Sequence, residues 1–232
     1  MSQLALKSLT KAFGSHKVLK GLDLAARPGE IVVVTMTVHG NADQVSVKAF
    51  GRGMPVFKSG EETWTALVGV DLEQRPGRYT VTIDAAGLGA PAHATESLVV
   101  TPKGFPTRRL RVDPSFVNPS PADLARIEMD TVFTREVYAS SAEARLWASP
   151  FVRPVPQEAS SSFGSRSVFN GVLRSPHAGT DFPSPAGTPV QAPNTGRVVA
   201  ARDLYFTGNT VIIDHGLGVF SMLAHLSRLD VR

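Results

Sequence analysis

His177 and Asp181 are the two residues of this 232-residue sequence whose types and spacing most directly suggest chemistry. Imidazole nitrogen and carboxylate oxygen are both zinc ligands, and catalytic zinc sites combine three protein ligands with a fourth position for water. On an extended strand, residues i and i+4 point to the same face, so both side chains can reach one ion if the segment is mostly extended. Taken alone, an H-x-x-x-D pair is a weak signal because chance matches are common.

The sequence around this pair is far more informative than the pair itself. Between about Phe151 and Arg232, distinctive motifs occupy residues 162–166, 170–171, 174–182, 185–193, 196–199, 211–218 and 224–227. In these motifs the sequence resembles the lysostaphin-type (LytM-like) zinc metallopeptidases, which cleave peptide cross-links of bacterial peptidoglycan. Within the motifs, residues 185–199 resemble the β-hairpin that follows the first metal motif in the family.

The resemblance implies a role for each histidine and aspartate of the motifs. His177 and Asp181 match the first two ligands of a Zn²⁺ ion, and His225 matches the catalytic histidine beside the zinc-bound water. In such a mechanism zinc lowers the pKa of its water towards about 7, while the histidine orients that water or stabilises the oxyanion. His215 matches a turn histidine with a structural role. The implied partner is the peptide of peptidoglycan.

Two positions depart from the family pattern. Many members have Tyr two residues before the catalytic histidine, whereas this sequence has Leu223. The family's third zinc ligand comes from a later His-x-His pair, and the sequence reaches Arg232 before such a pair. We therefore expect a truncated peptidase domain that is inactive as written, because the third ligand and the closing strands are missing.

A function of a different class is the alternative, namely a non-catalytic LytM-like module that binds cell wall or regulates an amidase. Degenerate relatives of that kind tend to lose the metal ligands. Retention of His177, Asp181 and His225 favours enzyme ancestry. The other three histidines, His16, His39 and His93, lie far upstream without matching context and are interpreted as surface or turn residues.

The first 34 residues resemble the opening of an ABC-transporter ATPase subunit, in which Phe13 would match the aromatic residue that stacks on adenine. The phosphate-binding loop G-x-x-x-x-G-K-[ST] should follow, but residues 35–40 contain no lysine. We therefore expect no nucleotide binding. One hypothesis is a chimera joined near residues 28–34, and the alternative is a divergent first strand pair of a β module.

The remaining pattern predicts a mainly β protein in four parts. These are the N-terminal segment 1–34, an immunoglobulin-like β module 35–101, a linker 102–150 with one helix at 121–139, and the LytM-like region 151–232. Alternating apolar residues or turn-bounded β-rich runs predict strands at 31–34, 45–49, 64–68 and 78–83. Ser120 and Pro121 mark the start of the helix, whose apolar face is expected to include Leu124, Ile127 and Met129.

The composition of the sequence excludes some types of site and bears on where the protein acts. The sequence contains no cysteine, which excludes thiolate zinc sites and disulfides. Its net charge of +4, without a dense run of Lys or Arg, gives no indication of nucleic acid as a partner. No apolar run approaches the roughly 20 residues of a transmembrane helix. Family resemblance implies the periplasm or cell envelope, whereas an N-terminus without a signal-peptide pattern predicts the cytoplasm.

Overall fold

A computed structural model describes residues 9–11, 24–38, 42–87, 91–113, 117–160 and 163–231. The chain forms two compact units, Met1–Gly104 and Phe105–Arg232. Several sequence expectations lie outside the described residues, namely those for Phe13, His16, His39 and Ser162. The four-part division of the sequence stays a prediction.

The N-terminal unit consists of β-strands in two sheets. The strands are β1 Leu9–Lys11, β2 Leu24–Ala26, β3 Ile31–Val38, β4 Ala42–Ala49, β5 Arg52–Met54, β6 Val56–Lys58, β7 Thr63–Gly69, β8 Gly77–Gly87 and β9 Ala92–Val100. One sheet has the order β1-β3-β7-β6, and the other has the order β2-β9-β8-β4-β5. Strands were predicted within β3, β4, β7 and β8, so the mainly β class of this unit is confirmed.

Alternation of apolar residues explains how these sheets build a core. In β3, Val32, Val34 and Met36 are each at most 2% exposed. Successive side chains of a strand point to opposite faces, so these three lie on one face. They belong to a single buried cluster with residues from the second sheet, including Val47 and Leu98. The two sheets therefore share one hydrophobic core.

Residues near the boundary between the predicted parts 1–34 and 35–101 take part in both sheets. Strand β3 runs through this position without interruption and pairs antiparallel with β7, with Ile31 opposite Gly69. Strand β2 pairs parallel with β9, with Leu24 opposite Leu98. Residues 24–38 are thus integrated into the hydrogen bonding of the N-terminal unit.

The C-terminal unit contains one helix and two three-stranded sheets. Its elements are β10 Thr107–Leu110, α1 Pro121–Ala139, β11 Arg166–Phe169, β12 Val172–Leu173, β13 Arg197–Leu204, β14 Gly208–Asp214 and β15 Phe220–Leu226. The sheet orders are β10-β11-β12 and β13-β14-β15. Residues 185–196, all of them described, contain no strand, so the hairpin expected at 185–199 is instead formed by β13 and β14.

Helix α1 begins and ends where the sequence predicts. Ser120 is the N-cap, and its hydroxyl oxygen accepts a hydrogen bond of 3.2 Å from the Asp123 amide. The Asp123 carboxylate accepts a bond of 3.2 Å from the Ser120 amide, which completes a capping box. Pro121 occupies the first turn, where its missing N–H costs nothing. No helix in the described part of the chain combines the length and hydropathy needed to span a membrane.

The apolar residues expected on one face of this helix are not its main contact with the rest of the unit. Leu124 and Met129 are 54% and 65% exposed, whereas Val137 is 9% exposed. Val137 packs with Ala200 and Ile212 of the sheet β13-β14-β15. The apolar contacts of the helix with the sheet come from its C-terminal half, whereas Arg126 of the N-terminal half pairs with Asp203 of β13. The position of that sheet is a tertiary property that the apolar pattern of the helix does not contain.

Truncation of Val137 is expected to lower the free energy of unfolding of the C-terminal unit, whereas truncation of Met129 is not. Val137→Ala removes about two methylene equivalents from a buried contact, which costs about 2 kcal/mol. Met129→Ala, at an exposed position of the same helix, is expected to change stability by less than about 0.5 kcal/mol. Urea denaturation of both variants measures the difference, and equal losses would contradict the observed packing face.

Candidate functional site

His177 and Asp181 lie close together in an irregular segment between β12 and β13. His177 Nε2 is 3.4 Å from Asp181 Oδ1. The segment is not an extended strand, and a bend at Gly179 brings the two side chains to the same point. We expected the two side chains to meet on an extended strand. They do lie close together, but in a segment that is irregular and bent.

Backbone hydrogen bonds anchor both residues to preceding segments of the same unit. The His177 amide donates to the Ser165 carbonyl at 2.9 Å, and the His177 carbonyl accepts from the Gly164 amide at 2.8 Å. The Asp181 carbonyl accepts from the Ser160 amide at 2.9 Å. These bonds fix the chain on either side of the bend, which limits how far the two side chains can separate.

Gly164 is required for this anchoring. Its φ is +79°, and a Cβ at this position would lie 2.1 Å from Cε1 of Phe105. No side chain fits at that distance without movement of the aromatic ring. Steric exclusion by Phe105 therefore explains why position 164 of the family-like segment 162–166 is a glycine.

The His177–Asp181 pair fits two positions of a zinc site. Two donors about 2.0 to 2.2 Å from one tetrahedral zinc ion lie roughly 3.4 Å apart, which agrees with the observed separation. The two side chains are 38% and 58% exposed, so solvent and a substrate can reach them. Within the described ranges, no group of three or more His, Asp or Glu residues is placed to hold a metal ion.

His225 lies on β15 with an unusual backbone conformation. Its φ is +57°, in the left-handed region. Val211 pairs with Leu223, but Asn209 pairs with Leu226, so Ala224 and His225 together oppose one residue of β14. This is a β-bulge, a feature that redirects side chains and is over-represented beside active sites. The imidazole is exposed, and its catalytic assignment stays a prediction.

His215 is enclosed and fully engaged. It is 0% exposed, and Nδ1 lies 2.8 Å from the Thr195 carbonyl oxygen. A carbonyl only accepts, so Nδ1 carries the proton and donates it, which leaves Nε2 to accept from the Ser221 hydroxyl at 2.8 Å. The Phe151 ring contacts the imidazole edge to face at 4.9 Å. Both ring nitrogens are used within the unit, as a structural role requires.

Asp214 is a buried carboxylate that the sequence analysis did not single out. It is 2% exposed and accepts three hydrogen bonds, from Ser141 Oγ at 2.7 Å, the Ala142 amide at 2.7 Å and the Gly216 amide at 2.8 Å. Burial raises the pKa of this carboxyl, but these donors and nearby Arg197 outweigh burial and leave its pKa below the usual value. The aspartate is therefore held ionised.

Further hydrogen bonds join the same two segments, residues 141–146 and the turn 214–218. The Leu146 amide donates to the His215 carbonyl at 2.8 Å, and the Leu217 amide donates to the Ala142 carbonyl at 2.7 Å. The Gly218 amide donates to Ser141 Oγ at 2.8 Å. The segment that follows α1 is thus fixed to the turn between β14 and β15. The Asp-His-Gly sequence before β15 was the one local signal that could have indicated this role.

Comparisons with known proteins agree with the family resemblance of the C-terminal part of the chain. The sequence model of Peptidase family M23 matches residues 175–232. The chain is 40% identical over 74 residues to the peptidoglycan DD-endopeptidase ShyA of Vibrio cholerae, a match that covers 32% of this chain and 17% of ShyA. It is 35% identical over 57 residues to ShyB of the same organism, with 25% and 13% covered. The chain therefore spans less than a fifth of the length of these curated relatives.

A solved structure is similar over a larger part of the chain. It is a peptidase M23 homologue from Pseudomonas aeruginosa, with a TM-score of 0.66 and 29% sequence identity. The match covers 88% of this chain and 75% of that one. A match of this extent includes residues of both units.

Proposed function

We propose that residues 175–232, which match the sequence model of Peptidase family M23, belong to a zinc metalloendopeptidase that hydrolyses peptide cross-links of bacterial peptidoglycan. The observation that carries the proposal is the separation of 3.4 Å between His177 Nε2 and Asp181 Oδ1, which suits two ligands of one zinc ion. The substrate class is suggested by the names of ShyA and ShyB, both peptidoglycan DD-endopeptidases.

Each residue of the proposed site has a defined task. Zinc, when bound, polarises a carbonyl and lowers the pKa of its water. His177 presents Nε2 as a neutral donor, so its proton must sit on Nδ1, and Asp181 supplies an anionic oxygen. His225 has an exposed imidazole, the side-chain type that most often serves as a general acid or base. It holds the attacking water or the developing oxyanion.

Loss of either proposed ligand is expected to weaken zinc binding at least tenfold. His177→Ala and Asp181→Ala each remove one of two protein donors, and zinc titration with a competing chelator measures the dissociation constant. His93→Ala is the matched control, since His93 Nδ1 lies 2.7 Å from Asp84 Oδ1 in the N-terminal unit, outside the family segment. An equal loss in the control, or no loss in the His177 variant, would refute the ligand assignment.

Cleavage is tested separately from metal binding. Purified peptidoglycan is incubated with the zinc-loaded chain, and the released muropeptides are identified by mass spectrometry. Zinc-dependent cleavage that is lost in His225→Ala, with zinc affinity retained, supports the proposed catalytic role. The same assay tests the sequence-based expectation of an inactive chain. Wall binding without zinc or cleavage would instead favour the non-catalytic module.

We also propose that the protein acts in the periplasm or cell envelope, where peptidoglycan lies. The support is the family membership of residues 175–232 and the substrate named for its relatives. Fractionation of cells that express the protein from its own gene tests the location, and recovery in the cytoplasmic fraction alone would contradict it.

For the N-terminal unit, we propose an immunoglobulin-like β module. Its support is the pair of sheets, of four and five strands, whose buried residues form one core. Cooperative thermal unfolding of residues 24–104 expressed alone would be expected for an independent module. A chain that stays unfolded by circular dichroism would count against it.

A further inference from the structure

The bulge at Ala224–His225 holds His225 in a conformation that this residue rarely adopts. At φ +57° a side chain with a Cβ is disfavoured, and such conformations persist only when the surroundings determine them. The direction of the imidazole depends on this backbone angle. Any contact that fixes the backbone of the bulge therefore also fixes the direction of the His225 imidazole.

A hydrogen bond from outside β15 fixes the bulge. The His225 amide donates to the carbonyl oxygen of Thr207 at 2.9 Å. Thr207 lies in the turn between β13 and β14, not in the ladder that pairs β14 with β15. The position of that turn consequently decides where the amide of His225 finds its acceptor.

The side chain of Thr210 forms hydrogen bonds with residues of this turn. It is 0% exposed and lies on β14 between Asn209 and Val211, opposite the bulge. Its Oγ1 is 2.8 Å from Thr207 Oγ1 and 2.8 Å from the Gly208 carbonyl oxygen. Thr210 is the donor in these contacts, and the Thr207 carbonyl oxygen that accepts from the His225 amide also lies 3.2 Å from Thr210 Oγ1. One hydroxyl has one proton, so Thr210 shares it among these three acceptors of the turn.

We propose that Thr210, acting through Thr207, is a positioning residue for His225. Without the buried hydroxyl, the turn loses its internal bonds and the Thr207 carbonyl is no longer held at the His225 amide. The imidazole would then sample a wider range of directions. The inference rests on the proposed function for the catalytic role of His225, but the hydrogen-bond chain itself does not depend on that role.

The test compares Thr210→Val, which keeps the shape and removes the hydroxyl, with Thr210→Ser, which keeps the hydroxyl. Amide hydrogen exchange of His225, followed by NMR in the full chain, is expected to become at least tenfold faster in the valine variant. The serine variant should stay within about twofold of the parent. The His215 amide, bonded to the Val219 carbonyl at 2.8 Å at the other end of the hairpin, is the internal reference and should not change.

An unchanged exchange rate of the His225 amide in Thr210→Val would overturn the proposal, because it would show no coupling. An equal acceleration of exchange at the His215 amide would also overturn it, because it would show only a global loss of stability. If Thr210→Val does not fold, Thr207→Val repeats the test at a half-buried turn position. Faster exchange with reduced kcat and unchanged zinc affinity supports the positioning role. Faster exchange with unchanged cleavage leaves the coupling intact and instead removes the catalytic role of His225.

Discussion

Gly216→Ala is expected to destabilise the C-terminal unit by about 3 to 5 kcal/mol. Its φ is +85°, and a Cβ would lie 1.9 Å from the Ala144 carbonyl oxygen and 3.0 Å from the carbonyl carbon of the same residue. The substitution therefore adds a backbone overlap to the cost of a positive φ, two effects worth about 1 to 3 kcal/mol each. Segment 141–146 would have to leave the turn 214–218 to relieve the overlap.

Tryptophan fluorescence during urea denaturation measures this loss. Trp147 is 8% exposed and follows the segment that must move, while a Trp64→Phe background removes the signal of the N-terminal unit. Gly218→Ala is the matched control in the same turn, since its φ is +76° but no atom lies within 4 Å of the added Cβ. It should cost only about 1 to 2 kcal/mol. Equal losses in the two variants would show that the contact with Ala144 is unimportant.

Asp214→Asn is expected to destabilise the same unit by about 2 to 4 kcal/mol at pH 7. The carboxylate accepts bonds from Ser141, Ala142 and Gly216, whereas an amide turns one acceptor atom into a donor that faces another donor. A buried donor left without an acceptor costs about 1 to 3 kcal/mol, and lost bonds to a charged group add to this. Denaturation at fixed pH gives the difference from the parent chain.

The pH dependence of this effect has a definite sign. The pKa of Asp214 is lowered in the folded state, so its ionisation stabilises the fold fully above the unfolded value of about 3.9. That contribution is lost as the pH falls through the lower folded pKa. The stability gap between the parent and Asp214→Asn should thus be constant above about pH 5 and shrink in acid. A gap that widens in acid would contradict the lowered pKa.

Asp203→Asn is the control for a carboxylate of the same unit. The Asp203 side chain is 59% exposed and pairs with Arg126. Surface ion pairs contribute about 0 to 1 kcal/mol, so this variant should lose little stability. A loss as large as that of Asp214→Asn would show that burial does not distinguish the two aspartates.

Local patterns were sufficient for much of the fold. Strand β4 follows from the alternation of Val45, Val47 and Ala49, since burial of one sheet face imposes a period of two on the sequence. Helix α1 begins at the predicted residue because its capping box and first-turn proline lie within four consecutive residues. Signals of this kind depend on neighbours along the chain, which the sequence displays directly.

The sequence by itself also carried the family resemblance around His177 and Asp181, which the M23 match over residues 175–232 confirms, and it proposed these two residues as zinc ligands. Only the tertiary structure decided that a bend at Gly179 brings the pair together. It alone shows that Asp214 binds a segment 72 to 73 residues earlier in the chain. It also shows the bulge at His225, which depends on the register between β14 and β15. The bulge and the bonds of Asp214 join separate segments of the chain, and no pattern within either segment encodes where the other will lie.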